Sequence, residues 1–272
     1  MNPRTQSVLL WILSFVLMAG FAIYQRMTGP TYPLGGEIEI GSGEVDFQLP
    51  RSHNTGMDAP VKLEVPDRDV RGYFHFRRFK SHDEWSKVEM IREGDKLLAF
   101  VPEQPPAGKV MYKVELIENG KSEFLTDEAV IIRFKGAVPA YVLVPHVIFM
   151  FLAMVFSIRT GIEALLKRKS TYTFTILTVI LLFAGGLILG PLVQKYAFDA
   201  YWTGWPFGND LTDNKTLFSF IFWVIALFVL RKNKKNRFWP VFASIVLIAI
   251  YLIPHSVLGS ELDYTAIESV NP

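Results

Sequence analysis

The sequence predicts a membrane α-helical fold combined with an all-β domain: five transmembrane helices, with a β-sandwich inserted between the first and the second. Three observations carry this. Half of the 272 residues are hydrophobic, and they gather in five runs at roughly 7–25, 139–158, 171–193, 216–230 and 238–257. Between the first two runs the apolar residues switch to period two. Lysine and arginine crowd two short segments between later runs.

A hydrocarbon core of about 30 Å takes about 20 apolar residues of helix. The first, second, third and fifth runs approach that length; the fourth is shorter, and its flanks can extend it. The first run is read as a retained anchor over residues 1–28, since AGFA (Ala19–Ala22) is a poor signal-peptide cleavage site. The β-domain occupies 29–137, four further helices 138–258, and a tail 259–272.

Charge sets the expected threading. Arg159 to Ser170 holds Arg159, Lys167, Arg168 and Lys169 against Glu163 alone. The second basic segment holds Arg231, Lys232, Lys234, Lys235 and Arg237 and no acid. Short basic loops stay in the cytoplasm. The N-terminus is therefore expected to be cytoplasmic, in a bacterial inner membrane, with the β-domain and C-terminus outside. The nine basic residues also suit anionic lipid. Glu163 is expected to close an i,i+4 pair with Lys167 at a helix end.

In the β-domain, EIEI (Glu37–Ile40), EVDFQL (Glu44–Leu49), VKLEV (Val61–Val65), GYFHFRRF (Gly72–Phe79), KVEMI (Lys87–Ile91), KLLAFV (Lys96–Val101), KVMYKVELI (Lys109–Ile117) and AVIIRF (Ala129–Phe134) read as strands. PDRD, REGD, PEQPPAGK and ENGK separate several of them as turns. Along this stretch an aromatic strand, Trp85, the Gly94-Asp95 turn, a proline-rich turn and a strand bearing Tyr112 follow in order. Over roughly 58–135 it resembles bacterial fibronectin-III-like and immunoglobulin-like β-sandwich domains. The resemblance implies a fold and no activity, because that architecture hosts many functions. The chain as a whole resembles a multi-pass bacterial envelope protein. His75, between Phe74 and Phe76, is expected on the solvated face. Acids outnumber bases nineteen to sixteen from Arg26 to Lys135, which argues against a nucleic-acid partner.

Chemistry-bearing residues concentrate at the expected outer rim. His146 follows Pro145 in the second run and His255 follows Pro254 at the end of the fifth. Between the third and fourth runs lies YWTGWPFGNDLTDNKT, with Tyr201, Trp202, Trp205, Asp210, Asp213, Asn214 and Lys215. Three readings stay open. In the first the loop is structural: an aromatic belt, with Thr212 or Asp213 capping the next helix. In the second, His146 and His255 ligate haem b, and Gly185, Gly186 and Gly190 leave room for the macrocycle. In the third, the two histidines join Asp210, Asp213 or Glu261 around a divalent metal. The chain has no cysteine, which excludes disulfides and thiolate chemistry. It has no P-loop, nucleophile elbow or dinucleotide fingerprint. A non-enzymatic scaffold, complex subunit or sensor, with the bilayer and other envelope proteins as partners, is the expected function.

Overall fold

The structure is a computed structural model that describes residues 2–40, 43–254, 259 and 261–266. The chain forms two compact units. One comprises residues 1–30, 138–196 and 200–259; the other comprises 31–137, 197–199 and 260–272.

The first unit is helical. Helix α1 (Pro3–Thr28) starts where the Asn2 side chain accepts the Arg4 amide, with proline at the first helical position. Helix α2 spans Ala140–Leu165 and α3 spans Thr171–Leu182. The chain continues from α3 through a π-helical stretch, Phe183–Leu189, into α4 (Gly190–Phe198), of which residues 190–196 belong to this unit. Helix α5 is Leu211–Lys232 and α6 is Phe238–Leu252. Helix α2 packs against α1, α3 and α6, and α5 packs against α3 and α6. Trp223, Ala226, Ala153, Met154, Ala243 and Leu247 form the buried centre. The surface left outside is apolar along α1, where Leu9, Ile12, Phe15, Val16 and Ile23 are exposed.

Among the described residues, four helical stretches are long and apolar enough to cross a membrane: Pro3–Thr28, Ala140–Leu165, Thr171–Phe198 and Leu211–Lys232. The fifth run yields only the 15-residue α6, because the chain turns extended at Ile253 ahead of Pro254.

Two boundaries differ from the sequence expectation. The third span does not stop at Val193. Gln194 and Lys195 lie inside α4, and the lysine sits in its last turn, where a cation complements the helix dipole. Arg159 and Glu163 do not belong to a loop; both are buried inside α2. The helix runs on to Leu165 and ends in a Schellman turn. Lys167 takes φ +54°, the Lys167 amide bonds Ala164 O, and the Arg168 amide bonds Glu163 O. The true connection is therefore short, 166–170.

The second unit is β-rich. Strands β1 (Leu34–Ile40) and β2 (Gly43–Leu49) pair as an antiparallel ribbon. A six-stranded sheet runs β3 (Ser52–Asn54), β11 (Val130–Lys135), β9 (Lys109–Glu118), β5 (Arg71–Arg78), β6 (Ser86–Glu89), with β10 (Lys121–Phe124) also on β9. A three-stranded sheet runs β4 (Ala59–Glu64), β8 (Lys96–Val101), β7 (Ile91–Glu93). The two sheets and the ribbon share one core. Val61, Leu63 and Val101 enter it from the smaller sheet, and Phe74, Tyr112 and Phe134 from the larger. Period-two alternation is why: in β5, Phe74 is fully buried while His75 takes the other face.

That other face is not simply solvated. His75 Nε2 lies 2.8 Å from Glu115 Oε2, and the ring packs near Phe124. Glu115 also accepts Lys87 Nζ at 2.8 Å and Ser122 Oγ at 2.5 Å. Strands β6 and β10, both short and polar, supply the partners that cover it.

Candidate functional site

Within the helical unit, the connection from α4 to α5 is built around three side chains at the start of α5. Asp210 is the N-cap: its Oδ1 accepts the amides of Thr212 at 2.8 Å and Asp213 at 3.4 Å. The sequence expectation gave that role to Thr212 or Asp213. Asp213 instead reaches back into the loop, its Oδ2 accepting the amides of Thr203 at 2.7 Å and Gly204 at 3.0 Å. Asn214 Oδ1 accepts the Trp205 amide at 2.7 Å. Helical geometry explains the division of labour. The first four amides of a helix lack internal partners, so Asp210 serves two of them, while the Asp213 and Asn214 side chains project over the turn that precedes the helix.

Gln194 completes the set from the other side. Its Nε2 donates to Thr203 Oγ1 at 2.6 Å, and Thr203 Oγ1 lies 3.2 Å from Asp210 Oδ2. The α4 end is thus bonded to the α5 start through one threonine. Lys215 faces elsewhere. Its Nζ donates to the carbonyls of Ile253 at 2.7 Å and Pro254 at 3.0 Å, just past the end of α6. There it offsets the negative end of that helix. Gly204 is needed: a Cβ there would stand 2.5 Å from Asp213 Cβ.

The aromatic residues of the loop divide. Trp202 Nε1 donates to Trp205 O at 3.0 Å, which folds the loop on itself. Tyr201, Trp205 and Phe207 are exposed, Phe207 at 83%.

His146 sits in the second turn of α2, about 9 Å from its start at 1.5 Å per residue. Its Nδ1 lies 2.9 Å from Gly185 O, the carbonyl that also receives the Gly190 amide across the π-helical turn. A carbonyl only accepts, so Nδ1 carries the proton in this bond. The small residues nearby are used for packing. A Cβ on Gly185 would meet Phe149 Cβ at 2.9 Å, and one on Gly186 would meet Thr216 Cγ2 at 2.5 Å. His255, the other candidate ligand, lies outside the described residues. Among the described residues no three His, Asp or Glu side chains converge as a metal set.

Of the basic residues, Arg231 and Lys232 lie in the last turn of α5. Lys234 and Lys235 lie in the α5–α6 connection, Lys234 near the Tyr172 ring. Arg237 donates to Thr171 Oγ1 at 3.2 Å. Lys169 precedes α3.

One cluster escaped sequence reasoning. Arg159 and Glu163 form an ion pair with side chains 1% and 2% exposed, one helical turn apart. Lys167 is not the partner. Arg168 joins instead, 3.4 Å from Glu163 Oε1, and donates to Gln6 Oε1 at 2.7 Å. The Arg159 guanidinium lies over the rings of Trp11 and Phe174 and 3.4 Å from Ser7 Oγ. Three helices, α1, α2 and α3, thus meet on one charge. Among the described residues, Glu163 Oε2, Ser157 Oγ and Trp223 Nε1 are buried without a hydrogen-bond partner. The signal lay in FSIRTGIEALLK: an arginine and a glutamate at i,i+4 spacing, inside an apolar run and placed for each other.

No protein-family model matches the chain, and comparison with curated proteins and with solved structures found no match.

Proposed function

We propose that the chain is a non-enzymatic scaffold or complex subunit of the bacterial inner membrane. In this reading it crosses five times, with its N-terminus in the cytoplasm, and presents a β-sandwich to other envelope proteins outside. One observation carries it. The acids, the amide and the lysine of the α4–α5 loop are engaged by backbone groups of the protein itself, while Tyr201, Trp205 and Phe207 are exposed. Polar groups committed to holding a loop are not available to turn over a substrate. Exposed aromatic rings suit a bilayer interface or a protein partner.

The finer features have their own support. Helix α6 packs against α2 and α5, both of membrane length, which favours a fifth span despite its 15 residues. Two sheets around one core favour the sandwich and its resemblance to fibronectin-III-like domains. The basic connections between α2 and α3 and between α5 and α6 favour the orientation.

Two measurements test the proposal. A reporter fused after Asn236 is expected to stay cytoplasmic, and one fused after Asn209 to be exported; the reverse pattern overturns the orientation. A photo-crosslinking side chain at Phe207, in native membranes, is expected to capture lipid or a discrete envelope protein. A second reading, haem b or a divalent metal on His146 and His255, draws on the Gly185 carbonyl bonded to His146. That bond fixes the imidazole as an outer-shell acceptor fixes a ligating histidine. A visible spectrum and metal analysis of the purified protein decide it; a colourless, metal-free folded protein removes it.

A further inference from the structure

Within the β-rich unit, residues 261–266 lie on the connections between strands. Glu261 pairs with both Lys80 and Lys109. Tyr264 is 6% exposed; its hydroxyl donates to Gln104 Oε1 at 2.6 Å, and the Arg78 guanidinium carbon lies 4.6 Å from its ring centre. Two backbone bonds add register: the Leu262 amide to Ala107 O and the Thr265 amide to Lys80 O, each at 3.2 Å.

The surface that receives this segment is shaped for it. Lys80 and Ala107, whose carbonyls do the accepting, hold φ of +51° and +68°, conformations that non-glycine residues rarely adopt. Gly108 lies beneath the phenol: a Cβ there would stand 2.7 Å from the Tyr264 oxygen. Arg78 is held by Asp83 through two bonds, at 2.7 and 2.8 Å, so its plane is fixed for the aromatic ring. Burial pushes the Lys109 ammonium down even though Glu261 bonds it, whereas exposed Lys80 is held up by the same carboxylate. The surface is thus an acid-binding pair of lysines beside a slot for a phenol, three residues apart along the ligand.

Among the described residues the attachment is not a strand ladder. It rests on side chains and two backbone bonds, and its ion pairs are partly in water: the Lys80 and Glu261 side chains are 46% and 27% exposed. A cleft of about 240 Å³, lined by Phe76, Arg77, Arg78, Asp83, Gln104 and Val110 among others, shares Arg78 and Gln104 with the tyrosine slot.

We propose that this surface is a docking site for acidic, tyrosine-bearing peptide segments of the pattern Glu-x-x-Tyr, occupied in cis by Glu261–Tyr264 and opened to a partner protein's segment of the same pattern by exchange. The inference deepens the scaffold reading and rests on it only for the existence of that partner. The cis segment competes at the high local concentration that a covalent tether gives. A free peptide therefore binds the intact protein poorly and binds a chain with a disabled tail well.

The test uses full-length protein in detergent and a labelled peptide of residues 259–272. Binding to the Glu261→Ala, Tyr264→Ala double variant is expected to be at least tenfold tighter than to the unaltered protein. It should weaken with added salt and be lost when Lys109→Ala is introduced as well. Hydrogen exchange at residues 107–109 gives a second readout: faster in the double variant, and slowed again by the peptide. Equal binding to the double variant and the unaltered protein, binding indifferent to Lys109, or no binding with unchanged exchange overturns the proposal. No membrane partner enters this experiment, so its failure and a failure of crosslinking in native membranes are read separately.

Discussion

Asp213 Oδ2 stands 2.7 Å from the Thr203 amide nitrogen, and this bond ties the start of α5 to a loop residue ten positions earlier. The same oxygen takes the Gly204 amide. Asp213→Ala removes the acceptor for both. With a stranded buried polar group costing about 1–3 kcal/mol, a loss on the order of 2–3 kcal/mol is expected. It would be measured by thermal unfolding in detergent, with new protease cleavage between Ala200 and Asp210. Asp213→Asn keeps one carbonyl oxygen and should cost clearly less; equal losses for the two variants would contradict the assignment.

The Arg159–Glu163 pair makes a sharper prediction. Removing one member of a buried ion pair typically costs about 3–5 kcal/mol, while replacing both with apolar residues is often neutral. Glu163→Ala alone should therefore destabilise the helical unit strongly. Arg159→Met combined with Glu163→Leu should recover most of the loss. The readout is denaturant unfolding in a fixed detergent. If the double variant is as unstable as the single one, the pair is more than a structural joint.

Acid stability depends on Glu115. Burial by itself would raise this carboxyl, but the bonds from Lys87, Ser122 and His75 outweigh it and hold the group at about 2, against an ordinary 4.5. A depressed value means the contribution is complete above the ordinary carboxylate range. It is lost as pH falls through that range toward 2. Circular dichroism melts between pH 5 and 2 should show the β-rich unit weakening over this window. Glu115→Gln should be less stable at neutral pH and should show a flatter dependence.

Helix packing at Gly186 is testable by paired substitution. Gly186→Ala would bring a Cβ to 2.5 Å from Thr216 Cγ2, forcing α5 away from the π-helical stretch. Overpacking of this kind costs about 1–3 kcal/mol. Thr216→Ser removes the offending methyl and should restore most of the stability in the double variant. A Gly186→Ala protein that melts normally would show that the contact is soft.

Most strands were legible because much of the β-domain alternates, and each of the eight apolar runs overlaps a strand; KVEMI, expected as one strand, instead divides at Met90 into β6 and β7, which join different sheets. The ENGK turn was legible too, with Asn119 and Gly120 at φ +48° and +79°. Strands β3 (SHN) and β10 (KSEF) were not, because neither carries an alternating apolar face; β10 owes its place to pairing with β9. At the loop, sequence pattern located the residues without distributing their roles. Asp210, Asp213 and Asn214 are all good caps by type, and only the path of the chain through Thr203 and Trp205 decides which amide each one meets. Arg159 and Glu163 depart from the sequence expectation for a related reason. A lone charge reads as a break in an apolar helix, whereas two opposite charges one turn apart let the helix continue.

The wide turn at Phe183–Leu189 acts as a rotary spacer between the two halves of the third span. An α-helix advances about 100° per residue, so deleting one residue there would restore the ordinary winding and swing everything beyond it by about that angle. Gln194, now 2.6 Å from the Thr203 hydroxyl, would point away from its partner. The shape of the aromatic hairpin is in this sense metered by a single surplus amino acid some ten positions upstream.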